Sequence, residues 1–189
     1  FGTGSDHIRE KDGLWAIVAW LNVLAAFDEG SKPSDPVPSI KAVQENFWSK
    51  YGRTFFTRYD YENVSTEGAN SVVLLLKKLI SSSDFVGKEL ATGYTVKEAD
   101  DFSYTDLDGS VSSNQGLFVK FTNGLRIIVR LSGTGSSGAT VRLYLEKHSS
   151  DESKYQLDAS DFLKSDIEFV LQLLKFQEFL GRDEPDVKT

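Results

Sequence analysis

A length of 189 residues with 40% apolar side chains allows one domain, or one and a piece, around a real core, and 13 Phe, 7 Tyr and 3 Trp exclude a disordered or low-complexity chain. The formal net charge of -7 argues against broad binding to nucleic acid or attachment to an anionic membrane. Cysteine is absent, which excludes disulfides, thiolate catalysis and Cys-based zinc sites, and two histidines are too few for a histidine metal cluster.

The opening 1-FGTGSDHIREKDG-13 places glycines, then His7, Arg9 and Lys11, ahead of an apolar run. A loop at the mouth of a helix can present polar groups to an anion, and the mixture of acids and bases suits a sugar; an ordinary solvated turn fits the same residues. The run 14-LWAIVAWLNVLAAF-27 is apolar on almost every face, which predicts a helix buried on most sides, with Trp15 and Trp20 in the core. It is too short to span a bilayer and has no basic leader, so a cytoplasmic protein is expected. Methionine is absent even at position 1, and the chain is expected to be the C-terminal part of a longer gene product. The stretch 30-GSKPSDPVPS-39 ends the helix, and a second one, capped by Ser39 and stopped by Gly52, carries Ile40, Val43 and Phe47 on one face.

Composition changes near Gly52. Aromatics and charges mix in 53-RTFFTRYDYENVS-65, read as a strand entering a separate domain, with Arg53 and Arg58 facing either a ligand cleft or interdomain salt bridges. A helix over 66–80 follows, then strands around 93-GYTVKEAD-100, 102-FSYTD-106, 116-GLFVKF-121, 125-LRIIVRL-131 and 140-TVRLYLEK-147. Asn123-Gly124 signals a tight hairpin. Asp106, Asp108 and Gly109 resemble the start of a calcium loop without its later acidic ligands, and a turn with Asx bonds is the better reading. Asp158 or Ser160 caps a final helix that ends at Gly181, and the polar tail 182–189 is expected to pack loosely.

The stretch with the most chemistry is 130-RLSGTGSSGATVR-142, a glycine, serine and threonine loop between two strands and closed at each end by an arginine. Gly133, Gly135 and Gly138 permit turn conformations in which amides converge on an anion; Ser132, Thr134, Ser136 and Ser137 add hydroxyls. Arg130 and Arg142 supply planar forks matched to phosphate. A plain turn remains the alternative for the loop taken alone. The match of 133-GTGSSG-138 to a dinucleotide fingerprint is weak, because a strand rather than a helix follows, and no Lys follows as a P-loop requires.

Four stretches, 1-FGTGSDHIREKDGLW-15, 53-RTFFTRYDYE-62, 108-DGSVSSNQGL-117 and 130-RLSGTGSSGATVRLY-144, resemble the C-terminal third of eukaryotic-type phosphoglucomutases, of the α-D-phosphohexomutase superfamily. The resemblance implies four domains around a deep cleft. Residues 1–52 would be the end of the third, α/β domain, and 53–189 the fourth, a TATA-binding-protein-like α+β domain with an antiparallel sheet and helices. Arg130, Ser132, Gly133, Thr134, Gly135 and Arg142 match the loop that grips the phosphate not being transferred. Lys11 matches a substrate-contacting lysine, with His7 and Arg9 in the same stretch.

The resemblance further implies transfer between glucose 1-phosphate and glucose 6-phosphate through a phosphoserine enzyme and glucose 1,6-bisphosphate. The serine loop, T-A-S-H-N, and the magnesium loop, D-x-D-G-D, do not occur in these residues, and 108-DGS-110 is no substitute. Mg2+ is therefore expected on an upstream domain, and the fragment is expected to be inactive alone. Its partners would be a phosphorylated hexose and the upstream domains of the same protein, with no nucleic acid or membrane. A non-catalytic phosphosugar-binding or scaffold relative, and a mutase for another hexose phosphate, are the competing readings.

Overall fold

The computed structural model describes the backbone of residues 11–28, 38–135 and 138–189, and the side chains among them except those of 133–135. Two compact units divide the chain, Phe1–Gly52 and Arg53–Thr189.

In the first unit, helix α1 spans Gly13–Phe27 and starts at Asp12, whose Oδ1 accepts a hydrogen bond from the Trp15 amide at 2.9 Å. Helix α2, Ile40–Tyr51, is capped by Ser39, whose Oγ accepts from the Ala42 amide at 3.1 Å, and it stops at Gly52 with φ 78°. The expected burial of α1 is corrected: none of its residues is buried, and Trp15 and Trp20 are 37% and 42% exposed. A helix apolar on every side needs neighbours on several sides. Among the described residues of this unit α2 is its only helical neighbour, and Ile40 and Phe47 of α2 are themselves exposed.

The second unit is an α+β domain. Among the described residues eight strands form, β1 Arg53–Val64, β2 Val96–Asp101, β3 Tyr104–Thr105, β4 Val111–Ser112, β5 Leu117–Phe121, β6 Leu125–Gly135, β7 Gly138–Ser149 and β8 Val187–Lys188. Six of them make one antiparallel sheet in the order β2-β5-β6-β7-β1-β8, while β3 and β4 form a separate hairpin. Helices α3 Thr66–Ile80, α4 Ala159–Phe162, α5 Lys164–Leu173 and α6 Phe176–Leu180 lie on one face.

Strand alternation explains which face they cover. Phe55, Tyr59 and Tyr61 of β1, Ile127 and Val129 of β6, and Val141, Leu143 and Leu145 of β7 are buried in one core with Val72 and Leu76 of α3 and Val170 of α5. The intervening residues therefore point to the helix-free face. Asn123 sets the β5–β6 turn, its Oδ1 accepting from the Leu125 amide at 3.0 Å, and Gly124 takes φ 89°. The Asp106 and Asp108 carboxylates accept from the Leu107 and Ser110 amides at 2.7 and 2.8 Å, which makes the segment an Asx turn.

Two expectations change at the C-terminus. The final helix is divided into α4, α5 and α6, because Lys175 adopts the left-handed region at φ 55° and the chain turns again at Leu163. The tail is not loose. Its β8 pairs with β1, Arg182 donates to the Glu62 carbonyl at 2.7 Å, and the Tyr61 hydroxyl donates to the Asp183 carbonyl. A sheet edge leaves a row of unpaired backbone groups, and the tail satisfies those of β1 between Arg58 and Glu62.

Candidate functional site: an arginine row beneath a glycine-rich hairpin

The arginine-flanked glycine stretch is mostly strand. β6 continues through Gly135 and β7 resumes at Gly138, so the predicted loop becomes the tip of a long hairpin. Ser132 lies opposite Thr140, Thr134 opposite Ala139 and Gly135 opposite Gly138, with a register shift between Ser132 and Thr134 that places Gly133 at a bulge. A bulge leaves one residue outside the ladder and re-aims its neighbours.

Arg130 and Arg142 are direct cross-strand partners one step below Ser132 and Thr140 on the helix-free face. Residues so paired stand about 4.5–5.5 Å apart at Cα, and like charges placed directly opposite repel. Arg130 is exposed and has no ion-pair partner among the described residues. Continuing the row, Asp60 on β1 pairs with Arg142. Its carboxylate is buried, with Oδ2 at 3.7 Å from Arg142 Nε and Oδ1 at 3.0 Å from Arg58 Nε. Both contacts are ionic: Asp60 Oδ1 and the two Nε atoms are buried without a well-angled hydrogen bond among the described residues. Arg142 and Arg58 keep 36% and 37% of their side chains exposed although the Nε of each is buried against Asp60. In the next row Tyr144 and Ile128 floor a shallow concavity of about 310 Å³ beside Arg58.

Of the sequence-predicted site residues, the hairpin unites Arg130, Ser132, Gly133, Thr134, Gly135 and Arg142. Lys11 lies in the first unit, exposed and just before the Asp12 cap. His7 and Arg9 lie outside the described residues. Arg58, read in the sequence as facing either a ligand cleft or an interdomain bridge, pairs with Asp60 two residues along its own strand. Asp60 was missed. The signal was the alternation of 58-RYD-60, which puts an acid and a base on the same strand face.

Residues 53–186 match the family model described as Phosphoglucomutase-1, C-terminal domain. The chain belongs to the eukaryotic phosphoglucomutase family. All of it aligns with phosphoglucomutase from Aspergillus oryzae, 61% identical over 190 residues and 34% of that protein's length. Phosphoglucomutase 2 from Saccharomyces cerevisiae is 53% identical over 191 residues, again covering the whole chain and 33% of the relative. The open form of the exocytosis-sensitive phosphoprotein pp63/parafusin (phosphoglucomutase) from Paramecium superposes with a TM-score of 0.80 at 40% identity, covering the whole chain and 31% of that structure. The chain thus spans about a third of the length of these phosphoglucomutases.

Phosphoglucomutases are implied to hold magnesium. No group of three or more His, Asp or Glu side chains among the described residues is placed to hold a metal ion. Asp106 and Asp108 each direct one carboxylate oxygen at a backbone amide. No helix among the described residues is long and apolar enough to cross a membrane.

Proposed function

We propose that the gene product carrying this chain is a phosphoglucomutase, interconverting glucose 1-phosphate and glucose 6-phosphate through a phosphoserine enzyme and glucose 1,6-bisphosphate. In this reading residues 1–52 end a third, α/β domain and 53–189 form a TATA-binding-protein-like fourth domain. Magnesium and the phosphoserine belong to upstream domains, and the location is cytoplasmic. Arg130, Arg142, Ser132, Thr134 and the amides around Gly133 and Gly135 hold the phosphate that is not being transferred; Lys11 is a substrate contact, with His7 and Arg9 in the same stretch.

The observation that carries the reading is the direct opposition of Arg130 and Arg142 at the base of the glycine, serine and threonine tip. Two adjacent guanidiniums cost stability unless an anion joins them, and a phosphate dianion accepts a fork from each. Phosphoryl transfer depends on placing the phosphates and stabilising their charge, which is work these residues can do without themselves transferring a group.

The test is turnover of glucose 1-phosphate by the full-length protein with magnesium and glucose 1,6-bisphosphate. Turnover is expected there and none from the 189-residue chain alone. Arg142→Ala should remove a charge-assisted fork worth about 1.5–3 kcal/mol, or roughly 10- to 150-fold in the Kd for glucose 1,6-bisphosphate. Full-length protein that binds the bisphosphate without turnover would instead be a phosphosugar-binding relative. Equal Kd values in folded wild-type and R142A proteins would remove Arg142 from the site.

A further inference from the structure

We propose that Asp60 is a positioning residue for the phosphate-binding arginines, holding the Arg142 guanidinium by its Nε so that its distal end stays available to an anion. The proposal rests on the reading of the arginine row as a phosphate site and adds a residue outside the hairpin, on β1.

Three observations carry it. Asp60 is buried, 3% exposed, on a sheet face otherwise open to solvent, and a carboxylate in that position requires cationic partners. Its two oxygens are divided between two arginines, Oδ1 toward Arg58 and Oδ2 toward Arg142. The Nε atoms facing it are buried, whereas over a third of each arginine side chain remains exposed.

Topology gives the contact a direction. β7 lies between β1 and β6, so the pull of Asp60 on Arg142 is directed away from Arg130. It opposes the repulsion between two guanidiniums on adjacent strands and fixes a flexible side chain before ligand arrives, which lowers the ordering cost of binding. The carboxylate also competes with phosphate for Arg142, and removing it would raise the local positive potential. Positioning outweighs competition here because Arg58 already lies 3.0 Å from Oδ1, closer than the 3.7 Å between Oδ2 and Arg142. The group of Arg58, Asp60, Arg142 and Arg130 thus holds three cations to one anion, an excess suited to a phosphate dianion.

The experiment is a double-mutant cycle in the full-length protein, reading the Kd for glucose 1,6-bisphosphate at fixed salt, with folding followed by circular dichroism. D60N is expected to weaken binding about 3- to 10-fold and to add nothing in an R142A background, because its effect passes through Arg142. D60E, which keeps the carboxylate, should stay within about threefold of wild type. A purely structural role predicts the same loss from D60N in both backgrounds, and that result overturns the proposal. Unchanged or tighter binding by D60N, beside weakened R142A, overturns it as well while leaving the phosphate site standing. Unchanged binding by R142A would overturn the site and the role of Asp60 together. Should D60N fail to fold with Arg58 left unbalanced, R58Q/D60N removes one charge of each sign and is read against R58Q in the same cycle.

Discussion

Gly138 opens β7 at φ +111°, and a Cβ there would lie 3.2 Å from the Asn63 Cα and from the Val64 carbonyl oxygen. Strain at positive φ and crowding by backbone act together, since neither neighbour can swing aside like a side chain. G138A is expected to lower stability by about 1–3 kcal/mol in thermal or urea unfolding. The same residue scale decides what Arg142 does. A surface arginine beside an exposed carboxylate would be nearly neutral to remove. Its carboxylate, Asp60, is instead buried and shared with Arg58, while over a third of the Arg142 side chain remains exposed. The ion pair therefore anchors the arginine without covering it.

Among elements, α3 shows packing overruling propensity. Gly68 in its first turn would, as alanine, place a Cβ 2.1 Å from the Phe179 carbonyl oxygen in α6. Alanine gains about 1 kcal/mol of helix propensity over glycine, but forced overpacking costs about 1–3 kcal/mol. At 2.1 Å from backbone the clash prevails, and G68A should lower the urea midpoint, whereas propensity alone would raise it. The C-terminal edge strand behaves differently because charge holds it. Asp186 accepts from the Glu62 amide and pairs with Arg182, which lowers its carboxyl pKa, the amide bond being the larger cause. A carboxylate with a depressed folded value contributes fully above the ordinary carboxylate range, and its contribution is lost as pH falls through the folded value. Acid should therefore open β8 before the core. Protection factors of the Glu62 and Val187 amides, taken relative to intrinsic exchange at each pH, are expected to fall at low pH while that of Ile127 persists, and D186N should lower them at neutral pH too.

For the whole molecule, every strand of the six-stranded sheet comes from the second unit, and the continuous core of Phe55, Leu76, Ile127, Leu143 and Val170 lies there as well. Residues 53–189 expressed alone are expected to unfold in one cooperative step, with coincident transitions by far-UV circular dichroism and tyrosine fluorescence. Residues 1–52, whose α1 and α2 have no buried residues, should not show such a transition. Non-coincident probes for 53–189, or a cooperative transition for 1–52, would remove this division of stability.

Local chemistry made much of this protein readable before any fold was known. Ser39 and Asp158 are caps, Asn123-Gly124 is a turn and Gly52 and Gly181 end helices because each requirement is met within a few residues of sequence. The arginine-flanked glycine stretch was legible for the same reason, as donor chemistry concentrated in 13 consecutive positions, 130–142. What tertiary structure decided concerns partners distant in sequence. Asp60 reaches the arginines only through the register that pairs it with Arg142, and the tail becomes a strand only because β1 offers an open edge.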